Sequence, residues 1–171
     1  MPPAPKPSPP RMAYRCVSHP YRGVTCTRWE SAVADHHIEA KALVRRVLEE
    51  VWNTGDVDIL DDVLTDDYVR HGRDERTDKE HMKATITLSR NAFPDLHTEV
   101  RHMLQEGDTV ATRWKAVGTH QGAFYDLPIT RKKVIITGMT FSRIFNGKVA
   151  EEWESWCGAD LFQDLGVVNL W

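Results

Sequence analysis

The chain has 171 residues and a formal net charge of −3, enough for one domain with its own core and without the basic excess of a nucleic-acid surface. No apolar run reaches the ~18 residues of a membrane span, and Cys16, Cys26 and Cys157 lack metal-ligand spacing. The simplest expectation from these bounds is a reduced, cytoplasmic protein with neither nucleic acid nor membrane as partner.

Residues 1–30 open with PPAPKPSPP, a composition that favours an extended, solvated backbone. No apolar segment follows that would make it a secretory signal. A disordered, Pro-rich tail is expected over 1–30 and a single ordered domain over 31–171. From Ile38 to Trp52 the rows Leu43, Val47, Val51 and Val44, Leu48, Trp52 repeat every four residues, the stripe of an amphipathic helix. Asn53 or Gly55 suits its left-handed C-terminal cap. A second helix is predicted from Asp56, with Val57, Leu60, Val63 and Leu64 inward. A short extended piece, Asp67 to His71, follows. A third helix is predicted from Thr77, with Glu80 as capping-box partner, ending where Phe93-Pro94-Asp95 breaks it.

Beyond Leu96 the period becomes alternating. Leu96, Thr98, Val100, His102 and Leu104 are predicted on one strand face, and Glu106-Gly107-Asp108 turns the chain into a strand over Thr109 to Gly118. A long loop, GTHQGAFYDLPITRKK, leads to Val134 to Phe145 and Lys148 to Cys157, joined by Asn146-Gly147. That dipeptide between alternating apolar runs marks a type I′ hairpin. A helical turn over Ala159 to Leu165 closes the domain. Three helices followed by about four antiparallel strands make an α+β fold, and a curved sheet wrapped on the first helix would enclose a ligand cavity.

The last hairpin strand carries the densest chemistry. Glu152 and Glu154 share a face with Trp156, and Trp153 takes the other. If that face looks into the cavity, a carboxyl beside indoles has its charged form disfavoured and its pKa raised toward general acid–base use. If it looks outward, Glu151, Glu152 and Glu154 are a solvated charge run. His71 can orient a substrate oxygen or share a proton, or sit satisfied at the surface. Tyr68 is either a phenol donor at the rim or a core aromatic. Arg113 and Trp114 lie on opposite faces, so at most one enters the cavity. His120, Tyr125 and Asp126 fall in the long loop, where binding groups often sit. No GxSxG elbow, Gly-rich phosphate loop or HExxH occurs, so no nucleotide cofactor or metal is expected.

Five blocks in order, VWNTGDVDILDDVLTDDYVRH, AFPDLHTEV, EGDTVATRW, GTHQGAF and FNGKVAEEWESWCGADLFQDLG, give the chain from about Ala40 to Val168 a resemblance to the SnoaL-like polyketide cyclases, also called the ester-cyclase-like family. The resemblance implies a cone-shaped α+β barrel of the ketosteroid-isomerase and nuclear-transport-factor class, with three N-terminal helices packed in a strongly curved, mainly antiparallel sheet. It also implies cofactor-free aldol chemistry led by an aspartate on the last long strand. Aligned on Trp153, that aspartate falls at Glu154. A second aspartate position falls at Cys157 and an assisting histidine position near Thr140, where neither counterpart is present.

The resulting expectation is a cofactor-independent cyclase of secondary metabolism acting on a polyketide-type, polycyclic or aromatic small molecule. Glu154, Tyr68 and His71 are its candidate catalytic residues. Glu152, Trp156, Trp52, Trp114, Thr140 and His120 are candidate substrate contacts, and a homodimer is the family-level expectation. Two other readings share the barrel: an epoxide-opening cyclase or hydrolase, and a non-catalytic ligand-binding or dimerisation domain.

Overall fold

The computed structural model of the chain describes residues 39–73 and 75–167; the expected tail over 1–30 and the domain's first residues from Ser31 lie outside them. Helix α1 covers residues 39–54 and widens into a π-helical turn over Arg46–Val51. Its apolar stripe is the expected one, with Val44, Val47, Leu48 and Val51 buried. Of the two cap candidates, Gly55 takes the left-handed position (φ 77°). Asn53 instead clamps the backbone of Thr98, donating to its carbonyl at 3.0 Å and accepting from its N–H at 2.6 Å. That clamp ties the end of α1 to the sheet.

Helix α2, Ile59–Val63, is shorter than expected because Leu64 already belongs to strand β1, Leu64–His71. Strand β2, Arg76–Thr77, pairs antiparallel with β1. Helix α3, Lys79–Ala92, is capped not by Thr77 but by Asp78, whose side chain accepts from His81 N–H at 2.9 Å. Thr77 is occupied in β2. Strands β3, His97–Glu106, β4, Thr109–Thr119, β5, Lys133–Phe145, and β6, Lys148–Trp156, follow, and helix α4, Gly158–Leu165, closes the described chain. Asn146 (φ 50°) and Gly147 (φ 74°) form the expected tight turn between β5 and β6.

Among the described residues the sheet has six strands in the order β2-β1-β6-β5-β4-β3, curved and unclosed. The expected block of helices followed by about four strands is therefore interrupted, because β1 and β2 lie between α2 and α3. Strand β1 runs parallel to β6 and every other pairing is antiparallel. This α+β cone wraps its concave face around α1 and α3, where Leu60, Met82, Ile86 and Val110 meet in the core. No described helix is long and apolar enough to cross a membrane.

Two bulges decide which side chains face inward. In β3 the register steps between Val100 and His102, leaving Arg101 as the extra residue. Thr98 stays inward, but beyond the bulge the faces exchange and Leu104 is 73% exposed. The single shared face predicted from Leu96 to Leu104 therefore holds only as far as Val100. In β6 the step falls at Ala150, between the pairs Ile144–Val149 and Arg143–Glu151. Beyond it Glu152, Glu154 and Trp156 face the concave side, and Glu151 and Trp153 face out.

Candidate active site

The concave face encloses a cavity of about 340 Å³, at the small end of ordinary ligand pockets (roughly 300–1,000 Å³). Leu48 and Trp52 reach it from α1, Leu88 and Ser89 from α3, and Leu161 and Phe162 from α4. Trp52 follows directly on the π-helical turn. The long loop contributes Phe124 and Tyr125. Its approach depends on Gly122, where a Cβ would come within 1.9 Å of the Asn91 carbonyl oxygen, so only glycine lets the loop close on the end of α3.

The sheet side is a ladder of matched rows. Ser142 pairs with Glu152, Thr140 with Glu154, and Gly138 with Trp156. On the far side of β5, Trp114 pairs with Gly138 and lays its indole toward it, while Trp114 Nε1–H donates to Thr140 Oγ1 at 3.0 Å. Trp114, not Arg113, is thus the residue of that pair that enters the cavity. Trp156 is 45% exposed and Tyr125 72%, and both line the pocket, so they stand where it opens to solvent.

Among the described residues that line the cavity, Arg70 and Glu154 are the only charged ones. They form an ion pair, each with a side chain 12% exposed. Burial pushes the Glu154 carboxyl up from its ordinary range; Arg70 opposes that shift and Glu152 adds to it. Burial also works against the Arg70 charge, but Glu154 foremost, then Tyr68 and Glu152, lift its pKa above the usual value. The partners therefore respond differently: for Glu154 burial outweighs the pairing, and for Arg70 the acidic neighbours outweigh burial.

Behind this pair lies a second, sealed row. Glu152 is 2% exposed; it accepts from Tyr68 Oη at 2.6 Å on Oε2 and from Ser142 Oγ at 2.7 Å on Oε1. Burial, then the charge of Glu152, drives the Tyr68 phenol far above its ordinary value, so Tyr68 acts as a hydrogen-bond donor. Among the expected substrate contacts, Glu152 and Thr140 do not line the cavity; they hold up the residues that do. Tyr68 likewise anchors Glu152 rather than lining the pocket.

His71 is on the other side of the sheet. Its ring stacks on Trp153 at 5.2 Å, and Nε2 lies 2.7 Å from Glu151 Oε1, whose carboxylate also accepts from Arg143 at 2.6 Å. Tyr68 and His71 are three residues apart on one strand, so alternation sends them to opposite faces. The catalytic role expected for His71 therefore does not fit its place. His120 is fully buried beside Phe93 and Phe124, behind the pocket wall. Thr130 N–H donates to its Nδ1 at 3.2 Å. Arg70 was not among the expected site residues, although parity carried the signal: a strand that buries Tyr68 must bury Arg70 on the same face.

This arrangement can move a proton in a largely apolar cavity. An apolar, aromatic shell surrounds one carboxyl group and one guanidinium in contact, with the sealed Glu152 behind them. Among the described residues no group of three or more His, Cys, Asp or Glu is placed to hold a metal ion.

The model of the SnoaL-like polyketide cyclase family matches residues 42–165. The chain is similar in structure to AclR, a candidate hydroxylase from Streptomyces galilaeus, at 30% identity and TM-score 0.70, over 77% of this chain and 83% of that one. IdmH, a candidate polyketide cyclase from Streptomyces antibioticus, matches at 27% identity and TM-score 0.66, over 74% of this chain and 98% of the other. TsrD from Streptomyces laurentii shares the fold at 22% identity and TM-score 0.69, over 77% of this chain and 97% of that one. No curated protein sequence matches the chain.

Proposed function

Because the chain belongs to the SnoaL-like polyketide cyclase family, we propose that it is an enzyme closing a ring in a polyketide-type aromatic small molecule, with Glu154 as the acid–base group. The observation that carries this reading is the position of Glu154: a carboxyl in an aromatic cavity, raised by burial and opposed by one cation. Such a group can take a proton from the carbon alpha to a carbonyl and return it to the alkoxide formed when the new bond closes. Written this way the reaction needs no cofactor. Trp52, Trp114 and Trp156 supply flat apolar walls for the ring system, and the cavity volume suits a compact ring system or one end of a larger one.

The test is Glu154→Gln, nearly isosteric but unable to exchange a proton. Turnover of a cyclisable poly-β-ketone substrate should fall by about a hundredfold or more; near-normal turnover would rule Glu154 out. A second reading, hydroxylation of a similar molecule with dioxygen as oxidant and a two-electron reductant supplied from outside the chain, is favoured by the 30% identity to AclR. Product mass separates the two, since ring closure leaves an isomer or loses water, whereas hydroxylation adds an oxygen atom. Binding of an aromatic ligand without turnover of any substrate would instead favour a binding domain.

We further propose a homodimer formed through the convex face of the sheet. Ile135, Met139, Phe141 and Trp153 are all more than two-fifths exposed there, an apolar patch that a second copy would cover.

A further inference from the structure

We propose that Arg70 is a catalytic residue in its own right: it receives the oxyanion that develops on the substrate when Glu154 takes up a proton. This rests on Glu154 being the base.

The argument begins with charge. Arg70 stands between two carboxylates, paired with Glu154 and facing Glu152 across the β1–β6 pairing. Of these three, Glu154 and Arg70 line the cavity and Glu152 does not. Glu152 is sealed behind them, its two oxygens engaged by Tyr68 and Ser142. It cannot follow the substrate, and it stays beside Arg70 with both oxygens already engaged.

The proton-transfer step then redistributes one charge. Glu154 takes the proton; the C–H electron pair becomes the C=C of an enolate and the carbonyl π pair moves to oxygen. The negative charge that Arg70 was pairing has left Glu154 for the substrate oxygen. A guanidinium carries several N–H donors in a planar fork, and leaving one unpaired against an apolar wall is unfavourable. Arg70 therefore has both reason and reach to transfer hydrogen bonding from the neutralised carboxyl to the oxyanion. When the enolate carbon attacks the second carbonyl, its electron pair forms the C–C bond and the first carbonyl re-forms. The charge moves to the new alkoxide, which takes the proton back from Glu154, and Arg70 returns to its first partner. Nothing is oxidised or reduced. Arg70 thus stabilises charge present only along the reaction path.

Glu154→Gln mimics the protonated base, and 2-naphthol provides a probe whose neutral and anionic forms differ in ultraviolet absorption. The full chain carrying E154Q should bind naphtholate about tenfold or more tightly relative to neutral naphthol than the wild type does. The ionisation midpoint of bound naphthol should fall accordingly. E154Q/R70Q should lose that preference. Since R70Q removes a buried charge, E154Q/R70K serves as a second variant, expected to keep part of the preference but less than arginine. The proposal is overturned if bound naphthol ionises in E154Q as it does in water, if E154Q/R70Q holds naphtholate as tightly as E154Q, or if no form binds it. Failure of the Glu154 reading looks different, as turnover that survives E154Q.

Discussion

The indole of Trp114 occupies the space that a side chain at Gly138 would need. A methyl group at Gly138 would lie 2.3 Å from Trp114 Cζ2 and 2.7 Å from Cε2. The glycine therefore permits the flat wall of the cavity, and the Trp114–Thr140 hydrogen bond locks it. Gly138→Ala should destabilise the fold by about 1–3 kcal/mol through overpacking. It should also displace the indole, visible as a change in tryptophan fluorescence together with weaker binding of aromatic ligands. Unchanged stability in urea melts would mean that the wall yields freely.

Tyr68→Phe tests the sealed row. It leaves Glu152 Oε2 without its 2.6 Å donor, a loss of about 1–3 kcal/mol for a buried carboxylate. A second signature lies in the alkaline range. The folded phenol is held neutral well above the ordinary value of 10.0, chiefly by burial and then by Glu152. Unfolding releases a phenol that ionises near 10, so this contribution is complete below that pH and is lost as pH rises beyond it. Stability of Tyr68→Phe should therefore fall less steeply above pH 10 than that of the wild type, as measured by denaturant titration.

Asp95 has the opposite sign. It accepts from Thr119 Oγ1 at 2.7 Å and from Thr119 N–H at 2.6 Å, and these bonds, the side-chain one first, lower its pKa below 3.8. Its contribution is full above 3.8 and is lost as pH falls through the lower folded value. Asp95→Ala should weaken the fold at neutral pH by less than about 1 kcal/mol, given its solvent exposure, and make acid unfolding shallower. Melting curves from pH 7 down to about 2 would show both effects; parallel curves for the two proteins would count against them.

Phe141→Glu addresses the convex face. Phe141 is 50% exposed on the face opposite the cavity and does not line it, so charge there should dissociate a dimer while leaving aromatic-ligand binding intact. Sedimentation velocity decides it, since a wild type that already sediments as a monomer removes the dimer.

Local pattern in the amino-acid sequence determined the amphipathic α1 stripe, the Asn146-Gly147 hairpin and the shared face of Glu152, Glu154 and Trp156, because helix and strand periods depend only on neighbours in the chain. The linked family blocks carried the α+β cone and singled out Glu154. What tertiary structure alone decided was which face looks inward and which distant strand lies alongside. A single extra residue, Arg101, reverses the faces of β3 and turns Leu104 out to solvent, and no periodicity announces a bulge. The parallel pairing of β1 with β6 brings Arg70 to Glu154 and leaves His71 stacked on Trp153 outside. Alternation along β1 could separate Tyr68 from His71, but only long-range pairing gives Arg70 its partner. The charge that completes the site is therefore set by strand order, through contacts between segments that the sequence keeps far apart.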